Sequence, residues 1–266
     1  MATIRAFWVL FWFIALTVLL LPLQAIFVAL NVPLARHLPR LYHCMVGKIM
    51  GLRIHLDGEV LQGRPVLLVA NHISWMDIIA FSCLAPLSFV AKKEVSTWPG
   101  VKVLAWLQRT IYVDRERRQM SSRTASEIAN RLADGDCVVL FAEGTSSDGN
   151  RVLPFKSALF EAVREAGEET YVQTGALAYT ALGGLPLGRR TRPLVAWYGD
   201  MEMAGHVWNL LKAGPLDVHI RVGAPMTLSE IGDRKALARH TEHIIRSDVS
   251  ELLSLRPFEN PRHGPT

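Results

Sequence analysis

The first 35 residues set the strongest limit on how this chain can fold, because no charged side chain occurs between Ala6 and Ala35. Residues 7–30 are almost wholly apolar. As a helix they would reach across a hydrocarbon core of about 30 Å. Pro22 and Gln24 interrupt the run, so a kinked or partly re-entrant path is compatible with it. A cleaved secretory leader is the rival reading, but the stretch is too long for one and Arg5 is the only charge ahead of it. Arg36, Arg40, Lys48 and Arg53 follow the run, and the excess of positive charge leaves the C-terminal bulk on the cytoplasmic side of a cell inner membrane. Residues 32–52 mix Arg, His and Lys with Leu, Tyr, Met and Ile. They read as an amphipathic helix at the interface or as a helix packed on the domain.

Beyond this segment, strand and helix patterns alternate. Strands are expected at residues 53–58, 66–70, 87–91, 110–113, 137–141, 172–179, 193–198 and 218–222. Helices are expected at 76–84, 99–107, 119–132, 155–166 and 235–255. Such alternation predicts an α/β fold, a twisted, largely parallel sheet with flanking helices. The expected organisation is a membrane anchor and interfacial helix over 1–52, one domain over 53–256 and a loose tail over 257–266.

The hydrophobic share of 50% and the mean hydropathy of +0.21 owe much to the first segment. The net charge is +5, with basic clusters at Arg115, Arg117, Arg118 and Arg123 and at Arg189, Arg190 and Arg192. A basic face suits anionic headgroups or an acidic carrier, or is simply solvated. Nucleic acid is set aside, since no motif for it accompanies the charge. The 3 cysteines, Cys44, Cys83 and Cys137, have no zinc or redox spacing, and no metal is implied.

The chemistry concentrates at strand ends. After the apolar run 66–70 comes Asn71-His72-Ile73-Ser74-Trp75-Met76-Asp77. A histidine followed at this distance by a carboxylate can be a general base with the group that orients it. The plain alternative makes Ser74 the cap of the following helix with Asp77 at its third position, a weaker capping box. The two readings are compatible, since a fixed helix start would hold Asp77 beside His72. The motif resembles the His-(x)4-Asp signature of the glycerolipid acyltransferases, the family of the 1-acylglycerol-3-phosphate acyltransferases. The resemblance implies transfer of a fatty acyl group from a thioester carrier, acyl-carrier protein or coenzyme A, to a lipid hydroxyl, with His72 and Asp77 catalytic and no cofactor.

Further blocks carry the same resemblance over about residues 50–225. Thr110-Ile111-Tyr112-Val113-Asp114-Arg115 is similar to the family's second block, with Arg109 in place of the usual Gly and Arg115 at the position linked to acceptor binding. Phe141-Ala142-Glu143-Gly144-Thr145-Ser146, continued by Leu153-Pro154-Phe155-Lys156, is similar to the Phe-Pro-Glu-Gly-Thr-Arg block. There the resemblance implies acceptor binding by Glu143, Gly144, Thr145 and Ser146. Ser146 stands where the family has an arginine, which removes a cation expected near an acceptor phosphate. The fourth block, expected at Val172-Gln173-Thr174, lacks its proline.

The implied reaction is direct transfer, with His72 taking the hydroxyl proton while the oxygen attacks the thioester. The default acceptor is 1-acylglycerol-3-phosphate, and a lyso-ornithine lipid is the alternative because of Ser146. The partners implied are the bilayer, the lysolipid and the acyl carrier. A serine hydrolase would need a Gly-x-Ser-x-Gly elbow, which Gly144-Thr145-Ser146-Ser147-Asp148 does not supply. An inactive lipid-binding scaffold would leave four chemistry-bearing residues at strand ends without a purpose.

Overall fold

An apolar helix and an amphipathic one lead into an alternating α/β array. The structure is a computed structural model and describes residues 1–98, 100–113, 122–167 and 169–254. Helices α1 (Ala2–Ala29) and α2 (Leu34–Met50) precede β1 (Leu52–Asp57), β2 (Val66–Ala70), α3 (Met76–Ser82) and β3 (Leu87–Lys92). Then come α4 (Val101–Leu107), β4 (Ile111–Val113), α5 (Ser122–Ala133), β5 (Cys137–Phe141), α6 (Glu161–Ala166) and β6 (Tyr171–Leu182). The chain ends in β7 (Leu185–Pro186), α7 (Met203–Ala213), β8 (Leu216–Val222), β9 (Met226–Thr227), α8 (Leu228–Ile231) and α9 (Arg234–Leu252).

The main sheet runs β1-β8-β6-β2-β5-β3-β4. Pairs β2–β5, β2–β6, β3–β5 and β3–β4 are parallel, and the direction reverses where β8 meets β6. All five side chains of β2 and of β5 are buried. That is why both read as unbroken apolar runs, since a parallel strand is covered on both faces. Val66, Leu68 and Ala70 pack with α1, α2, α3 and α7 on one face. Leu67 and Val69 pack with α5, α6 and α9 on the other.

α1 is continuous through Pro22 and lies along the domain. Arg5 donates to the carbonyls of Leu211 and Met50, Phe7 stacks edge-on against Trp208, and Thr17 meets Tyr42 at 2.8 Å. Gln24 Nε2 donates to Ala35 O (3.0 Å) and Leu107 O (2.8 Å). The opposite face leaves Trp8, Phe11, Val18, Leu19 and Ile26 exposed. Among the described residues α1 is the one helix long and apolar enough to cross a membrane. α2 packs against both α1 and α3, with Val46, Gly47 and Met50 turned inward.

The structure departs from the sequence expectation in several places. Residues 193–198 do not form a strand. Pro193 lies in a short 3-10 turn (Arg192–Leu194), and Val195 and Ala196 after it are buried in the core beside α1, α3 and α7. The helix expected at 155–166 begins as a 3-10 turn (Ser157–Phe160) and becomes α-helical only at Glu161. α7, capped by Glu202 through the amides of Ala204 and Gly205, has no counterpart in the expected elements. Arg115 and the tail over 257–266 lie outside the described residues. Arg109, in the family's glycine position, adopts φ 59°. An ion pair to Asp136 at 2.8 Å holds its side chain, and Arg36 of α2 reaches the same carboxylate at 3.1 Å.

Candidate active site

The register of β2 and β5 brings two motifs together. Ala70 pairs with Phe141, so the residues that follow each strand emerge side by side. Asn71 fastens the first turn to β6, donating from Nδ2 to Leu177 O (2.9 Å) and accepting Leu177 N at Oδ1 (2.8 Å). His72 then stacks on the Phe141 ring at 4.1 Å. Its Nδ1 lies 2.8 Å from Asp77 Oδ2. The Nε2 edge is left to the neighbouring cavity, with 17% of the side chain exposed.

Asp77 is fully buried. Its Oδ2 also accepts the amides of Ile73 (2.7 Å) and Ser74 (3.0 Å), and its Oδ1 accepts the Tyr179 hydroxyl at 2.7 Å. These four donors fix the carboxylate in one position. A hydrogen bond at Nδ1 sets the imidazole tautomer, so Nε2 can take a proton from a bound hydroxyl and Asp77 can stabilise the resulting imidazolium. The full capping box does not form. Trp75 is the first flanking residue of α3, and the buried Ser74 hydroxyl has no hydrogen-bond partner among the described residues. Asp77 supplies only the half of that motif that reaches back to the backbone.

Glu143 faces inward. Its Oε1 accepts His72 N and its Oε2 accepts Leu153 N, each at 2.8 Å, and the residue is 2% exposed. It therefore joins three loops beneath the site, and it does not line the cavity. Gly144 follows at φ 72°, a left-handed conformation that side chains other than glycine rarely adopt, with the Lys156 side chain packed close beside it. Thr145 and Ser146 do line the cavity, and Ser146 Oγ donates to Trp197 O at 2.5 Å. Trp197 N in turn donates to Ile73 O at 2.9 Å. Tyr179, Asn71, Trp98 and Trp197 were not expected from the sequence. The one available signal was a phenol within the apolar pattern of β6.

Burial pushes the Glu143 carboxyl up to about 8, against the two amides that favour its charged form. The folded value lies above the ordinary one, so the folded state holds the proton more tightly. The stability contributed by the protonated form is complete below the unfolded value and is lost as pH rises through the folded one. Thermal unfolding in detergent should show the wild type losing stability between about pH 5 and about pH 8, with Glu143→Gln flatter over that window. Parallel profiles would mean that Glu143 titrates normally.

The cavity beside His72 has a volume of about 690 Å³. From His72 and Trp75 it runs between α1, α2 and α4, past Phe13, Leu20 and Leu107, as far as Gln24. Its wall is overwhelmingly apolar, with a polar mouth at Lys92, Glu94 and Ser146.

A family model described as Acyltransferase matches residues 52–178, which contain the His72–Asp77 pair and the Glu143–Ser146 loop. The chain belongs to the acyltransferase family. It is 47% identical over 256 residues to the lyso-ornithine lipid O-acyltransferase of Brucella abortus, covering 94% of this chain and 96% of that protein. It is 38% identical to the protein of the same name from Rhizobium meliloti, over 90% of this chain and 84% of the other. A 1-acyl-sn-glycerol-3-phosphate acyltransferase of Neisseria meningitidis is 32% identical, over 76% of this chain and 78% of its own length. The crystal structure of the 1-acyl-sn-glycerophosphate acyltransferase from Thermotoga maritima superposes with a TM-score of 0.65 at 21% identity, covering 97% of this chain and all of that one. That last likeness fixes the fold, a mostly parallel sheet with flanking helices behind an apolar N-terminal helix.

Proposed function

We propose that this chain transfers a fatty acyl group from an acyl thioester to the free hydroxyl of a lyso-ornithine lipid. The observation that carries the acceptor is the 47% identity to a lyso-ornithine lipid O-acyltransferase over nearly the whole length of both chains. Ser146, in place of a cation suited to a phosphate, points the same way. The 1-acylglycerol-3-phosphate acceptor taken as default from the sequence remains the second reading, supported by relatives of lower identity.

In the proposed reaction the acceptor hydroxyl hydrogen-bonds His72 Nε2. As its oxygen bonds to the thioester carbonyl carbon, the proton passes to Nε2 and Asp77 balances the imidazolium. The tetrahedral intermediate then collapses, the carbon–sulfur bond breaks, and the proton leaves with the thiol of the carrier, acyl-carrier protein or coenzyme A. Glu143, Asn71 and Tyr179 position the pair without touching substrate. The apolar cavity takes an acyl chain, which no water-filled site would hold.

Membrane attachment through α1 and α2 is part of this reading, on the inner membrane with the sheet on the cytoplasmic side. α1 is held to the domain by Arg5 at one end and Gln24 near the other, while Trp8, Phe11, Val18, Leu19 and Ile26 remain exposed along it. That placement supports the domain resting on the bilayer with the helix pair sunk into it. The protein should stay in the pellet after carbonate and high-salt washing, since salt does not screen buried apolar area. Release under either wash would remove α1 as the anchor.

The test of function is acyl transfer by purified protein in detergent, with acyl-carrier protein and coenzyme A donors and a panel of lysolipids. Highest kcat/KM on the lyso-ornithine lipid supports the proposal. Highest kcat/KM on 1-acylglycerol-3-phosphate overturns it in favour of the second reading.

A further inference from the structure

We propose that Glu94, Trp98 and Trp197 form a seat for a primary ammonium group on the acceptor headgroup, an inference that rests on the lyso-ornithine reading. Among the described residues lining the cavity, histidines aside, Lys92 and Glu94 alone carry charge, one of each sign. They lie where β3 passes into a 3-10 turn (Lys93–Thr97), at the mouth of a wall that is otherwise apolar. An ornithine that bears a fatty chain on one amine keeps a carboxylate and a second amine. A mouth with one cation and one anion matches that zwitterion better than it matches a phosphate, which would call for cations only.

The aromatic part is held firmly. The Trp98 and Trp197 rings meet edge to face at 6.0 Å, and both border the cavity. Trp197 is fixed through its amide to Ile73 O (2.9 Å), through its carbonyl by Ser146 Oγ (2.5 Å), and through its indole N–H to Met201 O (2.9 Å). An ammonium group against an indole face is attracted by the ring quadrupole, more so when partly desolvated. The Glu94 side chain has no ion pair among the described residues, so its charge is open to such a ligand. Ser146 gives the sequence departure a physical sense. An arginine there would repel an ammonium group, whereas the serine clamps the tryptophan that receives it.

The experiment measures kcat/KM for the full chain in detergent on three acceptors: the N-acylated ornithine lysolipid, the same lipid with its free amine acetylated, and 1-acylglycerol-3-phosphate. Wild type should prefer the free amine over the acetylated form by about tenfold or more. Glu94→Gln, a near-isosteric change at an exposed position, should lose at least about tenfold more on the free amine than on the acetylated lipid, collapsing the preference. Trp98→Leu should shift it the same way. A wild type without preference, a preference that survives both changes, or equal losses on both ornithine acceptors would overturn the seat while leaving the acceptor reading intact. Wild-type transfer to 1-acylglycerol-3-phosphate alone would overturn both.

Discussion

His72→Ala should lower kcat by about two to four orders of magnitude, the usual contribution of a positioned general base. The geometry makes the loss specific. Nδ1 is committed to Asp77 at 2.8 Å, so Nε2 is the nitrogen that faces the cavity. The Phe141 ring beneath holds the imidazole plane, which leaves a bound hydroxyl one direction of approach. Truncation should spare the fold, because Asp77 keeps the amides of Ile73 and Ser74 and the Tyr179 hydroxyl. Thermal unfolding and membrane association should therefore stay close to wild type while acyl transfer collapses, with partial rescue by added imidazole. A folded variant within tenfold of wild type would remove His72 as the base.

Much of this site was legible because it hangs from strands that the sequence marks strongly. The runs 66–70 and 137–141 coincide with β2 and β5, since a strand buried on both faces has no polar residue to blur its limits. The residues after them could be placed at strand ends for the same reason. That the two ends are neighbours was not legible. It depends on β2 pairing with β5 in the register that sets Ala70 opposite Phe141, and local pattern carries no strand order.

Direction was also hidden. Glu143 reads as a charge at the site edge, and the structure turns its carboxylate inward to the amides of His72 and Leu153. Leu194-Val195-Ala196-Trp197-Tyr198 has strand-like composition. Its backbone instead finds partners in Ile73 O and the Ser146 hydroxyl, so a tertiary contact overrides propensity. The motif at 71–77 therefore fixed the chemistry, whereas the loop that shapes the cavity mouth emerged only with the fold.

Asp77→Asn should reduce kcat by about two to four orders of magnitude while leaving the protein folded, which separates charge from shape. An asparagine fits the same donors. Its oxygen, set where Oδ2 lies, can accept the amides of Ile73 and Ser74 together with Nδ1–H of His72. Its NH2 then faces the Tyr179 hydroxyl, which can accept in place of donating. The backbone amides thus hold the asparagine in the orientation that keeps the histidine tautomer, and what is lost is the negative charge that stabilises the imidazolium as the proton arrives. Asp77→Ala is the contrast. It leaves two amides and a buried phenol without partners, at about 1–3 kcal/mol for each orphaned group, so it should cost stability as well as rate. Measuring kcat beside the unfolding midpoint for both variants decides the matter. Asparagine with near-normal turnover would show that Asp77 only shapes the loop, and the proton transfer assigned to His72 would then need no charged partner.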